Sequence, residues 1–262
     1  MDLGLEGKVA VVAAASRGLG HAAAMALATE GADLAICARS SQIEAAADEI
    51  RQATGRTVLA IRADVTQDDE IDAFIEQTLA AFGRIDILIA NAGGPPPGGF
   101  LDFQLDDWRK AVELTILSAV RLCYAVVPPM LAAGGGSIVA TQSYSIKQPI
   151  DNLVLSNSLR LAVIGLMKSM ANELGPQGIR VNSINPTWTM TERVGELMRD
   201  RAARNGTDIE DEIGQLAESI PLRRIGSVEE FGRTIAWLAS PAASFIHGHA
   251  LMFDGGAVRS PL

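Results

Sequence analysis

Short apolar runs alternate with longer segments of helical period along most of the chain. Lys8–Ala14, Asp33–Ala38, Thr57–Arg62 and Ile85–Ala90 read as strands that are apolar on both faces. Between them, Leu19–Glu30 reads as an Ala-rich helix stopped at Gly31. Ser41–Thr54 reads as a helix with Ser41 as N-cap and Gly55 as its stop, and a third runs from a Thr66 cap to Phe82, where Gly83 ends it. Strands with no polar face, separated by helices of several turns, predict a parallel sheet covered on both sides.

The second half keeps the rhythm with two interruptions. Asn91–Gly99 carries Pro95, Pro96 and Pro97 and is excluded from regular structure. A long helical pattern from about Leu105 to Ala133, with a bend expected near Pro128 and Pro129, leads to a strand at Ser137–Gln142. An apolar helix at Asn152–Leu174, a strand at Arg180–Asn185, a helix at Val228–Ala239 and a seventh strand at Ala250–Phe253 complete the pattern. Thr187–Pro221 is polar and charged, with only weak helical period. It follows the C-terminal end of a strand, where open α/β sheets bind ligands, so it reads as a helical lid; the plainer reading is a solvated excursion. No linker, composition shift or repeat divides the chain. The expectation is one domain, residues 1–262, with a doubly wound seven-stranded parallel sheet and a lid at about 187–221.

Composition narrows the function classes. The chain has 262 residues, 48% of them apolar, and 22 Lys+Arg against 31 Asp+Glu give a net charge of −9. That length supports a core without disulfides or metal, and the acidic balance argues against nucleic acid or an anionic membrane as partner. Cys37 lies in a strand-like run and Cys123 in a helix-like one, and both read as buried small hydrophobes. The first six residues lack the basic and apolar regions of a signal peptide. No apolar run reaches the ~18 residues of a membrane span. The expectation is a soluble, cytoplasmic protein.

The chemistry concentrates where strands end. The first strand runs through Ala13-Ala14-Ala15-Ser16-Arg17-Gly18-Leu19-Gly20 into a helix, the tight glycine turn with which a Rossmann-type fold presents backbone N–H groups to a pyrophosphate. The second strand ends in Ala38-Arg39-Ser40, without the acidic residue that holds an NAD ribose. Arg39 and Arg17 instead suit a 2′-phosphate, which favours NADP(H) over NAD(H). His247 and His249 have no third ligand placed near them, so no metal is expected, and His21 reads as structural.

With the glycine turn, Asp64-Val65, Asn91-Ala92-Gly93, Ile179-Arg180-Val181-Asn182 and Asp254-Gly255-Gly256 follow one another in order. On these elements the chain resembles the short-chain dehydrogenase/reductase superfamily, nearest to its 3-oxoacyl-[acyl-carrier-protein] reductase-like branch, over nearly its whole length. The resemblance implies cofactor contacts from Ser16, Arg17, Gly18, Leu19, Gly20, Arg39, Asp64, Val65, Asn91, Ala92, Gly93, Arg160, Pro186, Thr187 and Thr189. It also implies assembly as a homotetramer or homodimer through the helices at about 105–133 and 152–174. Family chemistry uses Asn, Ser, Tyr and Lys. Ser143 fits the serine position, but Ser156 stands for the tyrosine, Arg160 for the lysine and Thr115 for the asparagine.

Ser156 and Arg160 share a helix face at i, i+4, so the pair's geometry survives while its acid chemistry does not. Ala14 occupies the family's first glycine and Thr187 a position where glycine is usual. Tyr144, near Lys147, is a substitute acid if its pKa is lowered; the plainer reading is a pocket wall beside a solvated lysine. Trp188 and Met190 read either as an apolar substrate wall or as lid packing. Three functions follow. The first is an NADP(H)-dependent oxidoreductase acting on a carbonyl or secondary alcohol of a small molecule. The second is a nucleotide-binding sensor or partner protein of impaired catalysis. The third is a redox-independent lyase resembling halohydrin dehalogenases, whose arginine Arg160 matches and whose tyrosine Ser156 does not.

Overall fold

The computed structural model describes residues 2–260. Seven strands, β1 (Val9–Ala13), β2 (Asp33–Ala38), β3 (Val58–Arg62), β4 (Ile87–Ala90), β5 (Gly136–Thr141), β6 (Ile179–Pro186) and β7 (Ala250–Phe253), form one sheet in the order β3-β2-β1-β4-β5-β6-β7. All pairs are parallel. The chain winds outward from β1 to β3 and then crosses back to β4, so the order reverses between β1 and β4. That reversal opens a crevice at the C-terminal edge, the ligand position of doubly wound sheets.

The two-residue period of β1 decides what covers each face. Ala10 and Val12 pack with α1 (Gly18–Thr29), α2 (Gln42–Thr54) and α9 (Val228–Ala239), through Leu27, Ile50 and Phe231. Val11 and Ala13 pack with α3 (Asp68–Phe82), α5 (Ser118–Ala132) and α6 (Val154–Leu174), through Phe74, Val126 and Met167. Cys37 and Cys123 are buried in that second layer, where burial pushes both thiols up to about 12.

Several local expectations need correction. Gln67, not Thr66, precedes the first turn of α3; the Thr66 N–H and hydroxyl both donate to Asp64 Oδ1, at 2.9 and 2.8 Å. Ser41 stands before α2 without a capping bond from its side chain. The long pattern from Leu105 is one helical run, in which α4 (Leu105–Val112) passes through a π turn at Glu113–Leu117 into α5. The π turn places an irregularity at Thr115 that was not expected, and Pro128 and Pro129 lie inside α5. The expectation that no segment is apolar enough for a membrane span also fails, since Leu105–Ala132 passes by length and composition. Its residues Leu122, Val126 and Met130 face the sheet, and Arg121 pairs with Asp68 and Glu113.

Residues after β6 fold into α7 (Glu192–Asn205) and α8 (Ile209–Glu218). Glu212, buried at their junction, accepts from Asn205 at 2.8 Å and Thr207 at 2.6 Å and pairs with Arg201. The N-terminal end of β6 is tied by Arg180. Its guanidinium donates to the carbonyls of Leu238, Ala239, Ser240, Ala243 and Ile246 and to Ser137 Oγ, at 2.9–3.2 Å. A cation there also complements the C-terminal dipole of α9.

Candidate functional site

At the C-terminal edge of β1 the backbone turns sharply. Ala14 takes a left-handed φ of 51° and Gly18 one of 60°, before α1 begins at Gly18. For Ala14 that conformation is strained, since L-residues crowd Cβ against the following carbonyl. Asn91, at the end of β4, fastens the turn by donating Nδ2 to the carbonyls of Ala13 at 3.2 Å and Ala14 at 3.4 Å. Gly20 must be glycine, because a Cβ there would lie 2.3 Å from the Ala14 oxygen and 2.8 Å from Asn91 Nδ2.

Two features leave room for a dinucleotide. Arg17, at the N-cap of α1, gives no side-chain bond to the first-turn N–H groups, which stay open to an anion. A Cβ built on Gly93 meets no atom within 4 Å, so the loop after β4 faces open space rather than protein. The glycine cradle and the uncapped helix end therefore fit a pyrophosphate. Arg39 lies 3.7 Å from Asp64 Oδ2, and Arg17 lies 3.8 Å from Glu192 at the start of α7. Both contacts are long and solvated, so neither commits its arginine. Val65 is buried beside Asp64.

The opposite wall comes from β6 and the segment after it. Pro186 ends the strand, and Thr187 donates its N–H to the Phe253 carbonyl at 3.0 Å. Thr189 is buried and donates to the Thr187 carbonyl at 3.2 Å. Thr191 caps α7, and its methyl lies where a Gly18 side chain would meet it, at 3.6 Å. The start of α7 thus rests on the glycine turn. Trp188, Ile220, Leu222 and Phe253 line a largely apolar cavity of about 220 Å³ beneath this segment. Met190 is not part of that lining.

The residues at the family's catalytic positions come together around α6. Arg160 donates Nε to Ser156 Oγ at 3.1 Å and Nη1 to Gln142 Oε1 at 3.4 Å. Ser156 is buried. Burial pushes the Arg160 pKa down to about 10, with the charge of Arg193 acting the same way. Ser143, one residue beyond Gln142, accepts from the Ser145 N–H at 3.2 Å. Among the described residues Thr115 Oγ1 is buried without a hydrogen-bond partner. It shares with Asn91, Gln142 and Arg160 a cavity of about 10 Å³, close to the smallest that admits one water.

The substitute-acid reading of Tyr144 is corrected here: burial raises its pKa above the usual phenol value, and Lys147 is exposed. His247 accepts from the Val181 N–H at 3.2 Å and reaches the Ala171 carbonyl at 2.8 Å, so it ties β6 to α6. Among the described residues no three His, Cys, Asp or Glu side chains gather as a metal site. Sequence reasoning missed Gln142 and Arg193. Gln142 is marked only by its place beside Ser143, and Arg193 by nothing in the local pattern.

Residues 13–258 match the family model described as Enoyl-(Acyl carrier protein) reductase. The chain is 33% identical over 264 residues to the 7alpha-hydroxysteroid dehydrogenase of Escherichia coli strain K12, covering 98% of this chain and 97% of that protein. The crystal structure of L-sorbose reductase from Gluconobacter frateurii, complexed with NADPH and L-sorbose, matches with a TM-score of 0.96 at 32% identity, covering 99% of this chain and 100% of that one. A 7 alpha-hydroxysteroid dehydrogenase complexed with NADH and 7-oxo glycochenodeoxycholic acid matches at 0.87 and 31%, covering 99% and 97%.

Proposed function

Because the chain belongs to the short-chain dehydrogenase/reductase superfamily of oxidoreductases, we propose that it transfers a hydride between NADP(H) and a carbonyl or secondary alcohol on a small molecule. The observation that carries this reading is the crevice between β1 and β4, where Asn91 fastens a strained glycine turn beside an uncapped helix end and an open Gly93. When bound, the nicotinamide supplies the hydride. The protein's part is to hold, orient and supply a proton.

In this reading the pyrophosphate lies on Ser16, Arg17, Gly18, Leu19 and Gly20, with Arg39 and Arg17 toward the 2′-phosphate. Asp64, Val65, Asn91, Ala92 and Gly93 line the adenosine side, and Pro186, Thr187 and Thr189 close the nicotinamide side. A neighbour bound to NADPH supports the phosphate form, although another holds NADH. Ser143 donates its hydroxyl to the carbonyl oxygen, and Arg160 bonds a ribose hydroxyl. Ser156, with its lone pair engaged by Arg160 Nε, passes a proton from water to the substrate oxygen. A serine hydroxyl is a weaker acid than a phenol, so this set works more slowly than one with tyrosine.

The protein works in the cytoplasm as a homotetramer or homodimer; the exposed Leu105, Tyr124 and Leu161 on α4, α5 and α6 support that assembly. The test begins with fluorescence titration by NADPH and NADH, followed by NADPH consumption on a panel of ketones and β-ketoesters. NADPH binding with slow turnover is expected, and Ser156→Tyr combined with Arg160→Lys raises the rate. No nucleotide binding overturns the reading; binding without turnover leaves a sensor in its place.

A further inference from the structure

Past β7 the chain turns back over the sheet, and Asp254 shapes that turn. Its Oδ1 accepts from the Gly256 N–H at 3.0 Å and its Oδ2 from the Val258 N–H at 2.9 Å. Its carbonyl accepts from the Ala257 N–H at 3.0 Å. The Gly255 carbonyl accepts from the Leu222 N–H at 3.2 Å, and a Cβ on Gly255 would lie 2.8 Å from Ile220. The turn is therefore seated on the segment that follows α8. Beyond it, the Arg259 N–H donates to Gln148 Oε1 at 3.3 Å.

The two ends of this tail are fixed to different walls of the crevice. It leaves β7 at Phe253, whose carbonyl accepts from Thr187 on the wall that follows β6. It arrives at Gln148, which belongs to the turn that opens at Ser143. There the N–H groups of Lys147 and Gln148 both donate to the Tyr144 carbonyl, at 3.0 and 3.2 Å. Asp254 and Gly255 already close one side of the 220 Å³ cavity lined by Trp188, Leu222 and Phe253. On its far side the Ser143 segment is pinned without the tail. Asn157 exchanges two bonds with the backbone of Ile150, at 2.9 and 3.1 Å, and the Gly98 N–H donates to the Asn152 carbonyl at 2.7 Å.

We propose that residues 254–259 form one wall of the substrate mouth and that Gln148 is the positioning residue that latches it. The tail then limits the bulk of the group that a carbonyl substrate carries past Ser143. The inference rests on the reading of this crevice as the redox site. Ala257 and Val258 are half-buried and apolar, as a wall facing an organic substrate requires, while Arg259 stays exposed. The Gln148 amide oxygen is the acceptor, a role that a carboxylate fills equally and a thioether only weakly.

Calorimetry on the whole protein, with and without bound NADP+, gives dissociation constants for methyl and benzyl acetoacetate. Trypsin cleavage after Arg259, followed by mass spectrometry, reports separately how firmly the tail is held. Gln148 is half-buried on a surface turn, so Gln148→Met is expected to fold with an unchanged Tm. In that variant cleavage after Arg259 should quicken at least about fivefold, and the preference for benzyl over methyl ester should rise by a similar factor. Gln148→Glu keeps the acceptor and should match the unsubstituted protein in both respects. NADPH affinity should stay within about twofold in either variant. Unchanged cleavage in Gln148→Met overturns the latch, and faster cleavage with an unchanged ester ratio overturns the wall. If NADPH fails to bind while the ester ratio still shifts, the redox reading falls and the role of the tail stands.

Discussion

Arg39 offers the sharpest separation between the two nicotinamide cofactors. It follows β2, its side chain is 73% exposed, and the carboxylate nearest it among the described residues, Asp64 Oδ2, is 3.7 Å away. Breaking so long and solvated a pair costs at most about 1 kcal/mol. A charge-assisted hydrogen bond to a phosphate is worth about 1.5–3 kcal/mol, so with the Asp64 pair subtracted the net gain from a 2′-phosphate is about 0.5–2 kcal/mol. Arg39→Gln keeps a side chain of similar reach and removes the charge. NADPH affinity should then fall about 2–30-fold while NADH affinity does not change. Arg17 retains part of the phosphate contact, which is why the loss stops there. Tryptophan-quench titrations with both nucleotides read the two constants. Equal changes for NADPH and NADH, or none for either, would refute the assignment of Arg39 to the 2′-phosphate.

Two further outcomes concern stability. Arg180→Met strips five carbonyls and Ser137 of their shared donor and should cost about 2–4 kcal/mol in urea unfolding, because partly buried acceptors are left unpaired; a loss below about 1 kcal/mol would show the hub to be dispensable. At Asp86, burial alone would raise the pKa, but the Arg84 fork, the Val9 N–H and Lys8 outweigh it and hold the carboxyl below 3.8. A lowered folded-state pKa adds stability above the unfolded value and loses it as pH falls through the folded one. Asp86→Asn should therefore lower stability by about 1–2 kcal/mol at neutral pH, with the gap closing below pH 3.8; a gap that is flat with pH would contradict the charge argument.

How much of this was legible in the sequence follows from what each signal measures. All seven strands were readable, because residues such as Val9–Ala13 are apolar on both faces and a buried parallel strand needs that. The π turn at Glu113–Leu117 was not, since one extra residue leaves an apolar helix looking equally apolar. Thr66 looked like a cap because its hydroxyl can accept from a first-turn N–H, yet α3 starts one residue later and the hydroxyl donates to Asp64 Oδ1 instead. At the site, the glycine turn, Ser156 and Arg160 were placed by motif spacing, which local geometry obeys. Gln142 approaches Arg160 from a different element, so only the fold brings the two together.

The central claim is that a nicotinamide dinucleotide lies over the loop after β4, and Gly93 tests it most directly. A side chain there meets no protein atom within 4 Å, so Gly93→Val should fold with an unchanged Tm. Calorimetric titration with NADPH should show one site per chain in the unsubstituted protein and an affinity loss of at least about tenfold in the variant. Identical NADPH binding by both proteins, or none by the unsubstituted one, would contradict the account.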